Sequence, residues 1–268
     1  MKVATILPQT YLDMTEKDDY LMALAHLINE PGMERYTEFF KEKGQDDDAF
    51  VILDNGVIEG DPRPIEELLM KARLINANEL ILPDAFRECT KTLHLVEEAT
   101  NFLINHHEEV SDLSFMAVPQ GKTFNEWINC AMILIDNPAV TCLGIPKVLI
   151  DIAGRDGRLK AIQRLTELTI DLGGKDIHLL GCWRTPLEIS VLAKYVLQGD
   201  IPEIRGVDSA IAYNMARMEI KLNEDDRPDQ APIDFKDGKI KNEALLRWNV
   251  LLWRDSVDMN PDKNILFI

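Results

Sequence analysis

TCLGIPKVLIDIAGRDGRLKAIQRLTELTIDLGGKDIHLLGC, residues 141–182, holds the unit from which the fold is read. A short apolar run, TCLGIPK (141–147), leads into a helical stretch, GRLKAIQRLTELTIDL (157–172), and then a second apolar run, IHLLGC (177–182). In the helical stretch Leu159, Ile162, Leu165, Leu168 and Leu172 fall on one face, the spacing of an amphipathic helix. Both flanking runs are apolar without alternation. Such runs suit strands buried on both faces, as in a parallel sheet.

The unit recurs along the chain. VATILP (3–8), FVILDNG (50–56), ELILPD (79–84), FMAVPQG (115–121) and EIRGVDS (203–209) are runs of the same kind. Between them, PIEELLMKARLINA (64–77) places Ile65, Leu68, Leu69, Ala72 and Ile75 on one helical face. Seven βα units in one series predict an α/β fold, a single-domain (β/α)8 barrel over residues 1–268, with MEIKL (218–222) as the eighth strand. A doubly wound open sheet is the competing fold, but it usually has a glycine-rich turn after its first strand. LPQTYLD (7–13) has no glycine there. Residues 223–241 are polar and predict a surface loop. The last helix, 242–257, carries Leu245, Trp248, Leu252 and Trp253, suited to closing the barrel or to a homodimer contact.

Composition narrows the function. With 46% hydrophobic and 28% charged residues, the chain predicts a soluble globular protein with an ample core. No apolar run reaches the ~18–20 residues of a membrane helix. The start of the chain lacks a signal peptide's features, so the cytoplasm is expected, the host's if the chain is phage-encoded. Cys89, Cys130, Cys142 and Cys182 are scattered without a CxxC pair, and His106-His107 sits at a polar helix end. No metal or other cofactor is therefore expected. The net charge of −17 opposes nucleic-acid binding except through a local patch or a partner. Arg155, Arg158, Lys160 and Arg164 form the candidate patch, with Arg184, Arg205 and Arg217 beside strand ends; a solvated helix face is the alternative.

In a barrel the C-terminal strand ends carry the chemistry. Here they deliver Gln9, Asp54, Asp84, Gln120, Gly144 with Lys147, Gly181 with Cys182, and Asp208. A carboxylate and a glutamine amide together match the hydrogen-bonding edge of guanine. Two further carboxylates then remain for glycosidic chemistry, one as nucleophile and one as acid/base.

Six stretches resemble the tRNA-guanine transglycosylase superfamily. LDNG (53–56) is similar to its DSGG, LPDAF (82–86) falls at its second base-binding aspartate, and VPQG (118–121) is similar to its VQGG. LGIP (143–146) stands at its glycine-rich segment, HLLG (178–181) is similar to HYLMG, and DSAIAYNMAR (208–217) is similar to FDSASYALYAR. The resemblance implies Asp208 as nucleophile and Asp54 as acid/base. It also implies Asp84, Gln120, Gly144, Leu180 and Gly181 around the base, with Arg155, Arg158, Lys160 and Arg184 on the nucleic-acid backbone. The CxCxxC-plus-His zinc site and the RNA-binding domain are missing, and Val57, Ile58 and Glu59 depart from the motif. These departures are most like the short phage and bacterial DNA-deazaguanine transglycosylases.

The implied reaction exchanges guanine for a 7-deazaguanine in DNA, with a basic partner protein helping an acidic chain reach its substrate. tRNA as substrate is one alternative. A second is an unrelated barrel lyase that forms a Schiff base on Lys147. A third is a binding protein that keeps the base pocket without turnover.

Overall fold

The computed structural model describes residues 1–257 except 59, 61, 107–109, 183–185, 224–232, 234 and 237. Eight strands form one parallel sheet. They are β1 (Lys2–Thr5), β2 (Leu21–Leu24), β3 (Val51–Asp54), β4 (Glu79–Ile81), β5 (Ser114–Ala117), β6 (Cys142–Pro146), β7 (Asp176–Leu180) and β8 (Gly206–Ser209). The hydrogen-bonded order β1-β8-β7-β6-β5-β4-β3-β2 curls the sheet into a nearly closed (β/α)8 barrel, as the repeating unit predicted. The main helices are α1 (Glu34–Lys43), α2 (Ile65–Leu74), α3 (Cys89–Asn105), α4 (Phe124–Ile135), α5 (Ile150–Ala153), α6 (Gly157–Leu168), α7 (Leu187–Gln198), α8 (Ile211–Arg217) and α9 (Glu243–Val257). None among the described residues is long and apolar enough to cross a membrane.

The eighth strand is not MEIKL (218–222). It is β2, LMAL, buried at all four positions and paired in register with β3 from Leu21↔Val51 to Leu24↔Asp54. Met218, Glu219 and Ile220 instead turn back on the end of α8, their amides donating to the Met215 and Ala216 carbonyls. Glu219 has φ +60°, a left-handed conformation that no strand residue holds.

The gap between β1 and β2 is bridged mainly by side chains. Tyr20 N–H donates to the Val3 carbonyl at 3.0 Å, one strand-like bond. On the β1 side, Asp19 Oδ2 accepts from Val3 N at 3.1 Å and Asp18 Oδ2 from Thr5 N at 2.6 Å. Carboxylates thus satisfy donors that a neighbouring strand would otherwise take. Arg254 on α9 pairs with Asp18 at 2.5 Å, and Trp253 Nε1 reaches the Ala4 carbonyl at 3.4 Å. The last helix therefore packs across the seam. At the N-terminal end of the barrel, Arg205 makes a two-pronged pair with the fully buried Glu79 (2.9 and 2.6 Å) and lies over the rings of Tyr20 and Phe50.

Candidate active site at the barrel mouth

Two clusters of polar side chains stand at the C-terminal strand ends. The first joins the ends of β3, β4 and β5. Asn55 Nδ2 donates to the Leu82 carbonyl (2.8 Å) and to Asp84 Oδ1 (2.6 Å). Gln120 Nε2 donates to Asp84 Oδ2 at 2.5 Å, while Gln120 Oε1 accepts from Arg87 N at 2.9 Å. Burial pushes the Asp84 carboxyl up to about 6, and the Asn55 and Gln120 hydrogen bonds hold it back from going higher. Asp54 is half-buried, and its Oδ2 accepts from Gly56 N at 3.1 Å. Gln120 and Pro146 also line one small cleft together with Arg87, Trp127 and Ile152.

The second cluster joins β6, β7 and β8. Asp208 Oδ1 lies 3.2 Å from His178 Nε2, and Asp208 Oδ2 accepts from Gly181 N at 3.3 Å. The His178 ring is wholly buried and 6.0 Å from the Tyr20 ring; its Nδ1 has no partner among the described residues. Lys147 follows β6 directly, and its aliphatic stem lies over Gly181. A Cβ at Gly181 would stand 2.9 Å from Lys147 Cδ and 3.4 Å from Cε. Gly181 also has φ +70°, a backbone that other residues rarely adopt. The backbone favours glycine there, and any added Cβ would push the flexible Lys147 stem aside.

The residues given roles by the transglycosylase resemblance are engaged with one another in this geometry. Asp84 and Gln120, expected to read a base, spend their groups on each other, on Asn55 and on Arg87. Asp208, expected as nucleophile, is 5% exposed with both oxygens engaged. Gly144 lies inside the sheet, where Leu180 Cδ1 comes within 2.7 Å of its ideal Cβ position; Leu180 covers this glycine rather than an open base pocket. The basic patch is broken as well. Arg158 is 1% exposed, bonded to Glu188 through Nε (2.8 Å) and Nη2 (2.5 Å) and to the Gly181 carbonyl through Nη1 (2.8 Å). Lys160 Nζ donates to the Ala153 carbonyl at 3.0 Å, Arg155 is exposed, and Arg184 lies outside the described residues, as do Glu59 and His107.

The site also contains groups that the strand-end list omitted. Asn55 immediately follows Asp54 in LDNG, and Arg87 contributes its backbone N–H from a left-handed turn (φ +60°). His178 sat in the quoted HLLG, and its position one strand pair from Asp208 was its only signal. Glu188 on α7 had none, because its partner lies 30 residues away. Among the described residues no group of three or more His, Cys, Asp or Glu is placed to hold a metal ion.

The fold and this mouth define the class: a (β/α)8 barrel with an amine and buried carboxylates at its C-terminal rim. No family model matches the chain, and no curated protein does. Among solved structures it is similar to the β-methylaspartase of Clostridium tetanomorphum (14% identity, 78% of this chain and 53% of that one, TM-score 0.47). It is also similar to the N-acetylneuraminate lyase of Mycoplasma synoviae (16% identity, 75% and 60%, TM-score 0.40) and to an Aquifex aeolicus protein (10% identity, 80% and 84%, TM-score 0.48). The chain spans little more than half the length of the first two. The two named enzymes are not transglycosylases. Membership of the guanine-exchange superfamily, the glycosyltransferase activity and the DNA-modification role are accordingly withdrawn.

Proposed function

We propose that this chain is a barrel enzyme acting on a small carbonyl compound through an imine on Lys147. One observation carries the reading: the Lys147 stem crosses Gly181 at the mouth, and the N–H of that same glycine is held by the buried Asp208. A lysine stem and a carboxylate thus meet at one residue. The neutral amine adds to the carbonyl carbon, and the carbinolamine loses water to give the imine. Once protonated, the imine draws electrons from a bond beside the former carbonyl carbon. That weakens the bond towards cleavage of a lyase or aldolase type.

In this reading the Asp208 carboxylate would favour the positive charge of the intermediate, with its Gly181 N–H and His178 contacts keeping it preorganised. Asp84, titrating near 6, supplies a group whose proton moves close to neutral pH. Arg158 fixes the Gly181 carbonyl from behind, so the glycine that supports Lys147 is anchored at both its N–H and its C=O.

The test is reductive trapping. The protein is incubated with a panel of small aldehydes and ketones, including oxo acids, then reduced with borohydride and mapped by mass spectrometry. A stable adduct on Lys147, absent in Lys147→Arg and in denatured protein, is the expected result. Adducts spread over surface lysines, or none at Lys147 across the panel, would refute the reading.

A further inference from the structure

The small cleft beside Lys147 combines one cation with one unanswered donor. Arg87, Gln120 and Trp127 line it, together with Pro146 and Val148, the residues on either side of Lys147. Arg87 is presented from a fixed turn: its φ is +60°, and its backbone N–H donates to Gln120 Oε1 at 2.9 Å. Its guanidinium lies 5.2 Å from the centroid of the Phe86 ring and pairs with Asp151 of α5 at 2.5 Å. Both partners of that pair are well exposed (43% and 42%), and Asp151 directly precedes Ile152, another residue of the cleft. Trp127, in the first turn of α4, is 2% exposed, and its Nε1 has no partner among the described residues.

We propose that this cleft binds the carboxylate of the substrate, so that the carbonyl compound taken by Lys147 is an oxo acid, and that Asp151 occupies Arg87 until the substrate arrives. Naming an oxo acid rests on the imine reading; the carboxylate site rests on Arg87 and Trp127 alone. A guanidinium offers paired N–H donors that match the two oxygens of a carboxylate. Asp151 shows that a carboxylate can take that place. An ion pair this exposed is worth little, because water screens it, so exchanging Asp151 for a ligand costs little. The neighbouring Glu88 does not compete, since Lys122 pairs with it at 2.7 Å.

A ligand gains what Asp151 lacks. The cleft has room for about one water-sized group, which suits a single carboxylate oxygen with the rest of the molecule at the mouth. Its walls are mainly apolar, from Trp127, Val148 and Ile152 among others, so a charge held there is screened less than one in water. An entering oxygen also supplies the acceptor that the buried indole N–H is missing, and such a donor is unfavourable while it has none.

The experiment follows the tryptophan indole N–H signals of the isotope-labelled full chain by NMR as propionate is added. Propionate has no aldehyde or ketone, so its binding does not depend on an imine. One indole signal should move and saturate with propionate, stay still with the neutral propionamide, and vanish in Trp127→Phe. Arg87→Gln should weaken propionate by about tenfold, as expected for losing a charge-assisted contact, whereas Asp151→Asn should tighten it by removing the competitor. If Trp127→Phe does not fold, the opposite shifts of the other two variants decide by themselves. Propionate binding in this pattern with no trapping on Lys147 would support the carboxylate site and refute the imine. An equal response to propionamide, a moving signal that survives in Trp127→Phe, or weaker binding in Asp151→Asn would overturn the proposal.

Discussion

Gly181→Ala tests the support beneath Lys147 without touching a polar group. At φ +70° an alanine costs about 1 kcal/mol or somewhat more, because its Cβ crowds the backbone in the left-handed region. The new Cβ also meets Lys147 Cδ at 2.9 Å, where carbon atoms prefer about 3.5–4.0 Å, so the stem must shift by roughly 1 Å. The stem is flexible, which keeps the stability loss to about 1–2 kcal/mol and the fall in Tm to roughly 3–6 °C for a chain of this size. The consequence for chemistry is larger. A displacement of about 1 Å at a reacting group can cost about 100-fold in rate. Borohydride trapping on Lys147 should therefore slow by one to two orders of magnitude, on the order set by that misplacement. Adding Lys147→Ala should return the crowding part of the stability loss and leave the backbone part, a double-mutant cycle that isolates the contact. Unchanged trapping alongside the expected loss in Tm would show that the amine does not depend on this support, and the proposed geometry would fail.

Two further outcomes follow from the buried charges. Asp84 has a folded-state carboxyl near 6 against an ordinary value of 3.8, so the folded state binds its proton more tightly than the unfolded chain does. Its contribution to stability is present below about pH 4 and falls by about 3 kcal/mol as pH rises through 6. Denaturant melts of wild type and Asp84→Asn from pH 4 to 7 should therefore differ in slope, the wild type losing more; parallel curves would contradict the burial cause. Arg158→Met should destabilise the protein by about 2–4 kcal/mol, because Glu188 and the Gly181 carbonyl lose their donor, partly offset by the solvent that still reaches Glu188. Urea titration measures the loss, and a variant within 0.5 kcal/mol of wild type, about the range of an ordinary surface site, would mean that the arginine is solvated after all.

Seven strands were legible because a barrel strand is buried on both faces and shows as an unbroken apolar run ending in a polar or small residue. β2 broke that signal. YLMALAHLI (20–28) runs on past Leu24 into the short turn Ala25–Leu27, where His26 alone interrupts the apolar residues and the strand end is poorly marked. MEIKL offered the opposite deception: it alternates like a half-exposed strand, a pattern that a strand enclosed in a parallel barrel does not need. Leu222 is buried for a different reason, its N–H held by Asn249 on α9. Missing β2 also miscounted the rim: TCLGIPK counts as the fifth run in the sequence, but Lys147 follows the sixth strand.

The rim positions themselves were readable, since Asp54, Asp84, Gln120, Lys147 and Asp208 all lie at or just beyond C-terminal strand ends. What could not be read was which partner claims each lone pair. Local periodicity places a side chain on a face, but Asn55 meets Asp84 across 29 residues, His178 meets Asp208 across 30, and Arg158 meets Glu188 across 30. Those partners reverse the chemistry. A carboxylate at 5% exposure with both oxygens occupied would have to abandon two contacts before attacking a substrate, whereas as a fixed negative charge it needs no rearrangement. The same partners recast Arg158 from a phosphate contact into a brace behind Gly181. On the proposed imine reading, the nucleophile is a side chain that reaches the mouth on a flexible stem. Lys147 meets that requirement at the end of β6, and the glycine it lies across is the one that Asp208 and Arg158 together keep in place.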